Sequence, residues 1–460
     1  MHLSLRRTLP LATALLLASQ STWANLSESE IASEQAKLGN ELTCIGAEKA
    51  GNADGSIPPF SGAWLGTPPG VQFGGVGSRH ADPYAGEKPL FTITAQNMQE
   101  HVARLSDGQQ ALLKKYPDSY SIPVYPSHRD FRLEDYRCEQ TRKNVGFAEL
   151  EDGNMGVRAY KAGTPFPLPK NGDELLRNML LPGYAHEEDA VYDQAVVYPD
   201  GQIAWGQLRM EILDQTSGEK DIGRPTHGIF AYSLTTILKP ERQKGEVMLA
   251  HTYFNEAKNP QTAWIYNPGT RRVRQSPGFG FDMPLGVGGF RTIDDDRLFN
   301  GSPERYDWKL VGKRELYIPY NGYRLEAEGI KYANLLKTGS IDPGVMRYEA
   351  HRVWVLEATL KPGYRHQYAK RVLYIDEDSW QAVMADNYDA HGQLWRTNFL
   401  NSFYAYGAKI FHAGVTVYHD LVSGAYLADR LTQEIDAPRL NGDRLQPYMY
   451  TTEMLRQSGR

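Results

Sequence analysis

Apolar and polar positions alternate with a period of two over much of the second half of this chain, a pattern that predicts β-strands. In the run from Gln202 to Leu213, Ala204, Leu208, Met210 and Ile212 share one face, and Gln207, Arg209 and Glu211 share the other. In the run from Arg352 to Lys361, Trp354, Leu356, Ala358 and Leu360 fall on one side, opposite Glu357, Thr359 and Lys361. Clusters of turn-forming residues separate such runs. Pro199-Asp200-Gly201 joins one pair, and the stretch from Pro240 to Gly245 joins another. Two strand–turn–strand signatures carry β-branched and aromatic residues on both sides of a turn. The first runs from Trp264 to Arg274 around Asn267-Pro268-Gly269-Thr270. The second runs from Lys370 to Trp380 and on through Tyr388 to Leu394. Two more strands are expected near 415–422 and 426–435. Roughly ten to twelve strands joined by short turns predict an antiparallel meander with one greasy and one mixed face.

The first third reads differently. Ser27 to Leu38 is expected to be a short helix opened by its serine. The stretch from Gly46 to Gly77 is too rich in Gly, Pro, Asn and Asp for regular elements. Thr94 is placed to cap a helix reaching Arg104, and a second helix is expected from Asp107 to Tyr116. Each proline of Ile122-Pro123-Val124-Tyr125-Pro126 holds the residue before it extended. Residues 25–150 are therefore expected to form an irregular arm with short helices on a main body at 151–460. An independent N-terminal domain is the alternative, but it would need a clearer core. Pro165-Phe166-Pro167-Leu168-Pro169 is a stiff joint, and Asn171 then caps a helix through Leu181.

The N-terminus carries an export signal. Arg6 and Arg7 precede a short apolar run from Leu9 to Ala18, and Thr22-Trp23-Ala24 ends on the small residue that signal peptidase needs. Cleavage is expected after Ala24, which makes 1–24 a signal peptide and the mature chain periplasmic. With no cysteine at the cut, it is not a lipoprotein. A net charge of −5 gives no concentrated basic surface, so nucleic acid is not expected as a partner. The 28 tyrosines suit half-buried sheet surfaces. The two cysteines, Cys44 and Cys138, are expected to pair in an oxidising compartment, although buried free thiols are the alternative.

Candidate chemistry is sparse. There is no Gly-x-Ser-x-Gly, and Gly312-Lys313-Arg314 lacks the glycine spacing of a phosphate loop. His186-Glu187 lacks the second histidine of a zinc-protease motif and reads as a surface acidic turn. Asp294-Asp295-Asp296 lacks the alternation of a Ca²⁺ loop and reads as a solvated helix start. Asp376-Glu377-Asp378 reads as a turn between strands. No cofactor and no metal are expected. The glycines of 275–291 fit either a flap over a cavity or a plain crossing loop. Arg271, Arg272 and Arg274 fit a partner or lipid-headgroup contact, or an edge strand protected by charge.

The two hairpin signatures, with the strands from Arg305 to Gly312 and from His351 to Lys361, resemble the outer-membrane lipoprotein-sorting proteins of the LolA/LolB fold over about 185–435. Upstream, the stretches from Gly46 to Gly55 and from Lys88 to Ala95 resemble a longer envelope subgroup catalogued as a domain of unknown function. The resemblance implies a mainly β fold with flanking helices: a strongly curved antiparallel sheet, an open half-barrel whose hollow holds acyl chains. It also implies an inner-membrane pump of the resistance–nodulation–division type and an outer-membrane protein as partners. The expected lining residues are Trp205, Phe254, Trp264, Tyr266, Trp354 and Tyr374, each of which fits ordinary sheet core as well. The chain is thus expected to be a non-enzymatic carrier of a lipid or other hydrophobic small molecule in trans-envelope transport. The rivals are an assembly factor acting through protein contacts and an enzyme acting on envelope glycans or esters.

Overall fold

The computed structural model describes residues 27–181, 184–276 and 282–458; the expected signal peptide at 1–24 lies outside them. Thirteen strands build the principal sheet. They are β1 (Glu187–Val197), β2 (Ile203–Asp214), β3 (Ile229–Lys239), β4 (Val247–Tyr253), β5 (Thr262–Asn267), β6 (Arg272–Gln275), β7 (Tyr306–Pro319), β8 (Tyr348–Leu360), β9 (Lys370–Asp376), β10 (Ala382–Tyr388), β11 (Leu394–Ala405), β12 (Ile410–Asp420) and β13 (Tyr426–Leu431). The spatial order is β7-β8-β9-β10-β11-β12-β13-β1-β2-β3-β4-β5-β6. Two antiparallel meanders, β1–β6 and β7–β13, are thus joined by pairing β13 with β1. Three short strands bring the sheet to 16. Phe91–Ile93 pairs with Ile122–Val124, which meets β8 in parallel at Tyr348, and Arg439–Leu440 pairs with β1.

The sheet is strongly curved and open. β7 comes within 8 Å of β10 and β11, three and four strands along, which a flat sheet with strands about 4.8 Å apart would not allow. Register shifts in β7, β9, β10 and β11 accompany the curvature.

Over β8–β13 and β1 both faces are buried, not one. One face carries the ladder Val355, Tyr374, Met384, Phe399, Val417, Ala428 and Ala195. These pack with Ile57, Ile93, Leu105, Leu112, Leu113 and Phe131 of the arm. The other face carries Leu356, Leu373, Ala385, Tyr418, Leu427 and Val196, packed with Leu175, Leu176, Met179, Val287, Leu298 and Phe299. The arm therefore shares the main core and fills the curved sheet at this end.

Among the described residues, five helices of seven residues or more flank the sheet: α1 (Glu28–Lys37), α2 (Asp107–Lys115), α3 (Asp135–Asn144), α4 (Gly172–Leu180) and α5 (Thr452–Ser458). Ser27 and Ser106 make capping boxes with Glu30 and Gln109, and Asn171 caps α4. The expected helix from Thr94 to Arg104 is broken into two short turns at His101. The bond between Cys44 and Cys138 ties the segment after α1 to α3. No described helix is long and apolar enough to cross a membrane.

Candidate functional site

Burial changes abruptly past β1. Nearly every residue of β1 is buried, whereas β2 is mostly half-buried and β3 is half-buried for its first ten residues. The strand register sorts these residues into rows. One row runs Met210, Thr235, Met248, Ile265, Arg274, and beside it run Leu208–Ile237 and Ile212–Ser233–Ala250–Ala263. Leu208, Met210, Ile212, Ile237, Met248 and Ile265 are half-buried. Among the described residues, none of them packs into a buried hydrophobic cluster. The reverse face of the same strands is closed. Leu213, Tyr232, Leu234, Leu249, Trp264 and Tyr266 pack there with Leu445, Tyr450 and Leu455, the last of these in α5. One end of the open face is walled where Val287 abuts Gly206, so closely that a Cβ on this glycine would lie 2.2 Å from the valine. The other end is the edge strand β6.

The six expected lining residues do not converge on one hollow. Tyr374 is buried on the arm-covered face and donates a hydrogen bond to Asp386 at 3.0 Å. Trp354 projects to the opposite face, 6.3 Å from the ring of Trp380 and under the ammonium of Lys313. Trp264 and Tyr266 lie on the reverse face beneath α5, and Trp264 meets His251 edge-on. Phe254 follows β4 and leans on Phe230. Trp205 is 40% exposed beside Tyr332. Two small cavities within the filled part, one beside Trp380 and one beside His419, each measure about 10 Å³, room for one water and not for an acyl chain. Of the three arginines, Arg272 and Arg274 are exposed on β6, whereas Arg271 sits in the preceding turn with φ of +52°. The regular strand expected through Arg271 is therefore broken there. The glycine-rich segment at 275–291 falls partly outside the described residues; its described part includes the Val287 wall.

Residues 92–456 match the family described as protein of unknown function DUF1329. An uncharacterised protein of Pseudomonas aeruginosa is 41% identical over 432 residues, spanning 93% of this chain and 94% of that protein. The chain belongs to the DUF1329 family. Among solved structures, a putative outer-membrane lipoprotein-sorting domain from Vibrio parahaemolyticus is 16% identical, with a TM-score of 0.40 over 59% of this chain and 91% of that one. A DUF1329 protein from Desulfovibrio piger is 17% identical, with a TM-score of 0.39 over 59% and 92%. A LolA superfamily protein from Nitrosomonas europaea is 14% identical, with a TM-score of 0.36 over 62% and 100%.

The acidic clusters of this DUF1329 chain are interior; Asp376-Glu377-Asp378 does lie at the turn between β9 and β10, as expected, but it is buried. Asp294 and Asp295 are 1% exposed. Burial works against charge on Asp294, but Arg371 at 2.7 Å and His366 at 3.2 Å overcome it and hold the carboxyl below its ordinary range. The helix start expected at these aspartates is present as a 3₁₀ segment over Ile293–Leu298, capped by Thr292 with Asp295, but it is buried instead of solvated because arginines distant in sequence fold onto it. Glu187 opens β1 and accepts from the backbone N–H groups of Arg444 and Leu445, so His186-Glu187 is not a surface turn either. Asp376, Asp378 and His351 bring potential ligand atoms within 4.8 Å of one another, all of them buried. Asp378 is already gripped by the guanidinium of Arg129, at 2.7 and 2.8 Å. Arg129 also donates to the backbone carbonyls of Glu48 and Pro58 in the arm. The cluster thus fastens arm to sheet by charge-assisted hydrogen bonds.

Proposed function

We propose that this DUF1329 protein is a binding protein for a lipid or other hydrophobic molecule of the cell envelope, and that the open face of β2–β5 holds the ligand. A single observation supports this reading: six large apolar side chains stand in adjacent rows, half-buried and outside the packed core, while the reverse face of the same strands is closed. Apolar surface of that kind gains up to about 0.8 kcal/mol for each CH₂ buried against it. The site is thus displaced from the arm-covered hollow that the sequence suggested. Transfer across the envelope, with an inner-membrane pump and an outer-membrane protein as partners, is part of the proposal, as is binding without catalysis.

A second reading, an assembly factor acting through protein contacts, is favoured by the filled interior over β8–β13. Native mass spectrometry of the chain purified from periplasm without detergent, followed by lipid extraction, separates the two. A stoichiometric hydrophobe lost in Met248→Asp supports the carrier. A clean apo mass, with no uptake of added lipid, supports the assembly factor.

A further inference from the structure

We propose that the molecule held on the open face is an anionic amphiphile, its chain lying along the Met210–Met248–Ile265 row and its anionic head on Arg272 and Arg274. The inference rests on the reading of that face as a hydrophobe site and adds the chemistry of the ligand's head.

The register carries the argument. Arg274 stands opposite Ile265, Val273 opposite Tyr266 and Arg272 opposite Asn267. Alternation along a strand puts both arginines on the open face and Val273 on the closed one. The arginines are two residues apart, so their Cα atoms are about 6.8 Å from each other. Two guanidinium forks side by side match one phosphate, sulfate or carboxylate.

The rest of the open face from β3 to β5 carries Ala231, Ser233, Thr235 and Ile237, then Met248, Ala250 and Thr252, then Ala263 and Ile265, with no carboxylate among them; on β2 the same face carries one, Asp214 opposite Ala231, which is buried and accepts from the Thr216 hydroxyl. Both arginines are exposed, and among the described residues neither has an ion-pair partner. On the closed face the situation is reversed. There Arg209 is neutralised by Asp189 at 2.9 Å and Glu211 at 3.4 Å. Edge protection alone is served by charge of either sign, paired or not. Unbalanced positive charge at one end of an apolar row is the complement of an amphiphile. The row spans about 19 Å from β2 to β6, the scale of an extended fatty chain.

The test uses the full mature chain loaded with the neutral fluorophore 1-N-phenylnaphthylamine, displaced in turn by dodecyl phosphate, dodecanol and inorganic phosphate. The expected result is that dodecyl phosphate displaces the probe at a concentration about tenfold or more below that of dodecanol, and that inorganic phosphate displaces none. In the Arg272→Gln/Arg274→Gln double variant, dodecyl phosphate should weaken to the level of dodecanol while dodecanol itself is unchanged, which also shows the variant to be folded. The Arg272→Lys/Arg274→Lys pair should keep part of the preference. A double glutamine variant that retains the preference, or displacement by inorganic phosphate alone, would overturn the anionic-head assignment and leave the hydrophobe site standing. Failure of the fluorophore and of both chains to bind would remove the hydrophobe site, and this proposal with it.

Discussion

Asp386 sits fully buried where three donors converge: the hydroxyl of Thr397 at 2.8 Å, that of Tyr374 at 3.0 Å and the backbone N–H of Gly108 at 3.2 Å. Even so, burial outweighs these bonds and raises its carboxyl to about 6. A carboxyl raised in the folded state stabilises fully below its unfolded value, about 3.9, and loses that contribution as pH climbs through 6. Urea midpoints of the wild-type chain should therefore fall from pH 4 to pH 6 by more than those of Asp386→Asn. Equal slopes would show that Asp386 does not titrate in this window. Tyr374 is held in place by its hydrogen bond to this aspartate. The pairing was hidden in the sequence, where Tyr374 and Trp354 look alike as aromatic residues in alternating runs. Only the register, with Trp354 opposite Ile375 and Tyr374 opposite Val355, sends them to opposite faces. The acidic clusters were illegible for a related reason: Arg371 lies 77 residues from Asp294, and Arg129 lies 249 from Asp378.

The helices and the arm are held by close approach and by a covalent tie. A Cβ at Gly108, near the start of α2, would lie 1.9 Å from the Thr397 hydroxyl and 2.2 Å from an Asp386 oxygen. Gly108→Ala should therefore cost about 1–3 kcal/mol through overpacking, read as a lower denaturation midpoint; an unchanged midpoint would mean that α2 can lift from the sheet freely. The disulfide spans 94 residues, and Cys44→Ser/Cys138→Ser should lower stability by about 2–4 kcal/mol, measured by urea unfolding against the oxidised wild type. These features were unequally legible. The cysteine pairing followed from two cysteines in a chain expected to be exported, and the Ser27 and Asn171 caps followed from local sequence. Gly108 carries no local signal, because what it touches is two strands of the far meander. The alternation of Ala204, Leu208, Met210 and Ile212 marked one apolar face of β2, but whether another element covers that face is decided elsewhere in the chain.

At the scale of the molecule, one curved sheet is used in two ways. Where β8–β13 and β1 are covered on both sides, the arm and α4 supply the core. Where β2–β6 extend beyond that cover, α5 closes one side only. The strand order shows why the sequence could announce a meander without announcing its open wing: the first meander is attached to the second through its first strand, and the arm packs its buried apolar residues chiefly against the second meander and β1. The central claim is that this wing binds hydrophobes, and a direct titration tests it. Binding of 1-N-phenylnaphthylamine should be saturable in the wild-type chain and weakened about tenfold or more in Met248→Asp and in Ile265→Asp. Saturable binding of unchanged strength in both folded wing variants would contradict the account.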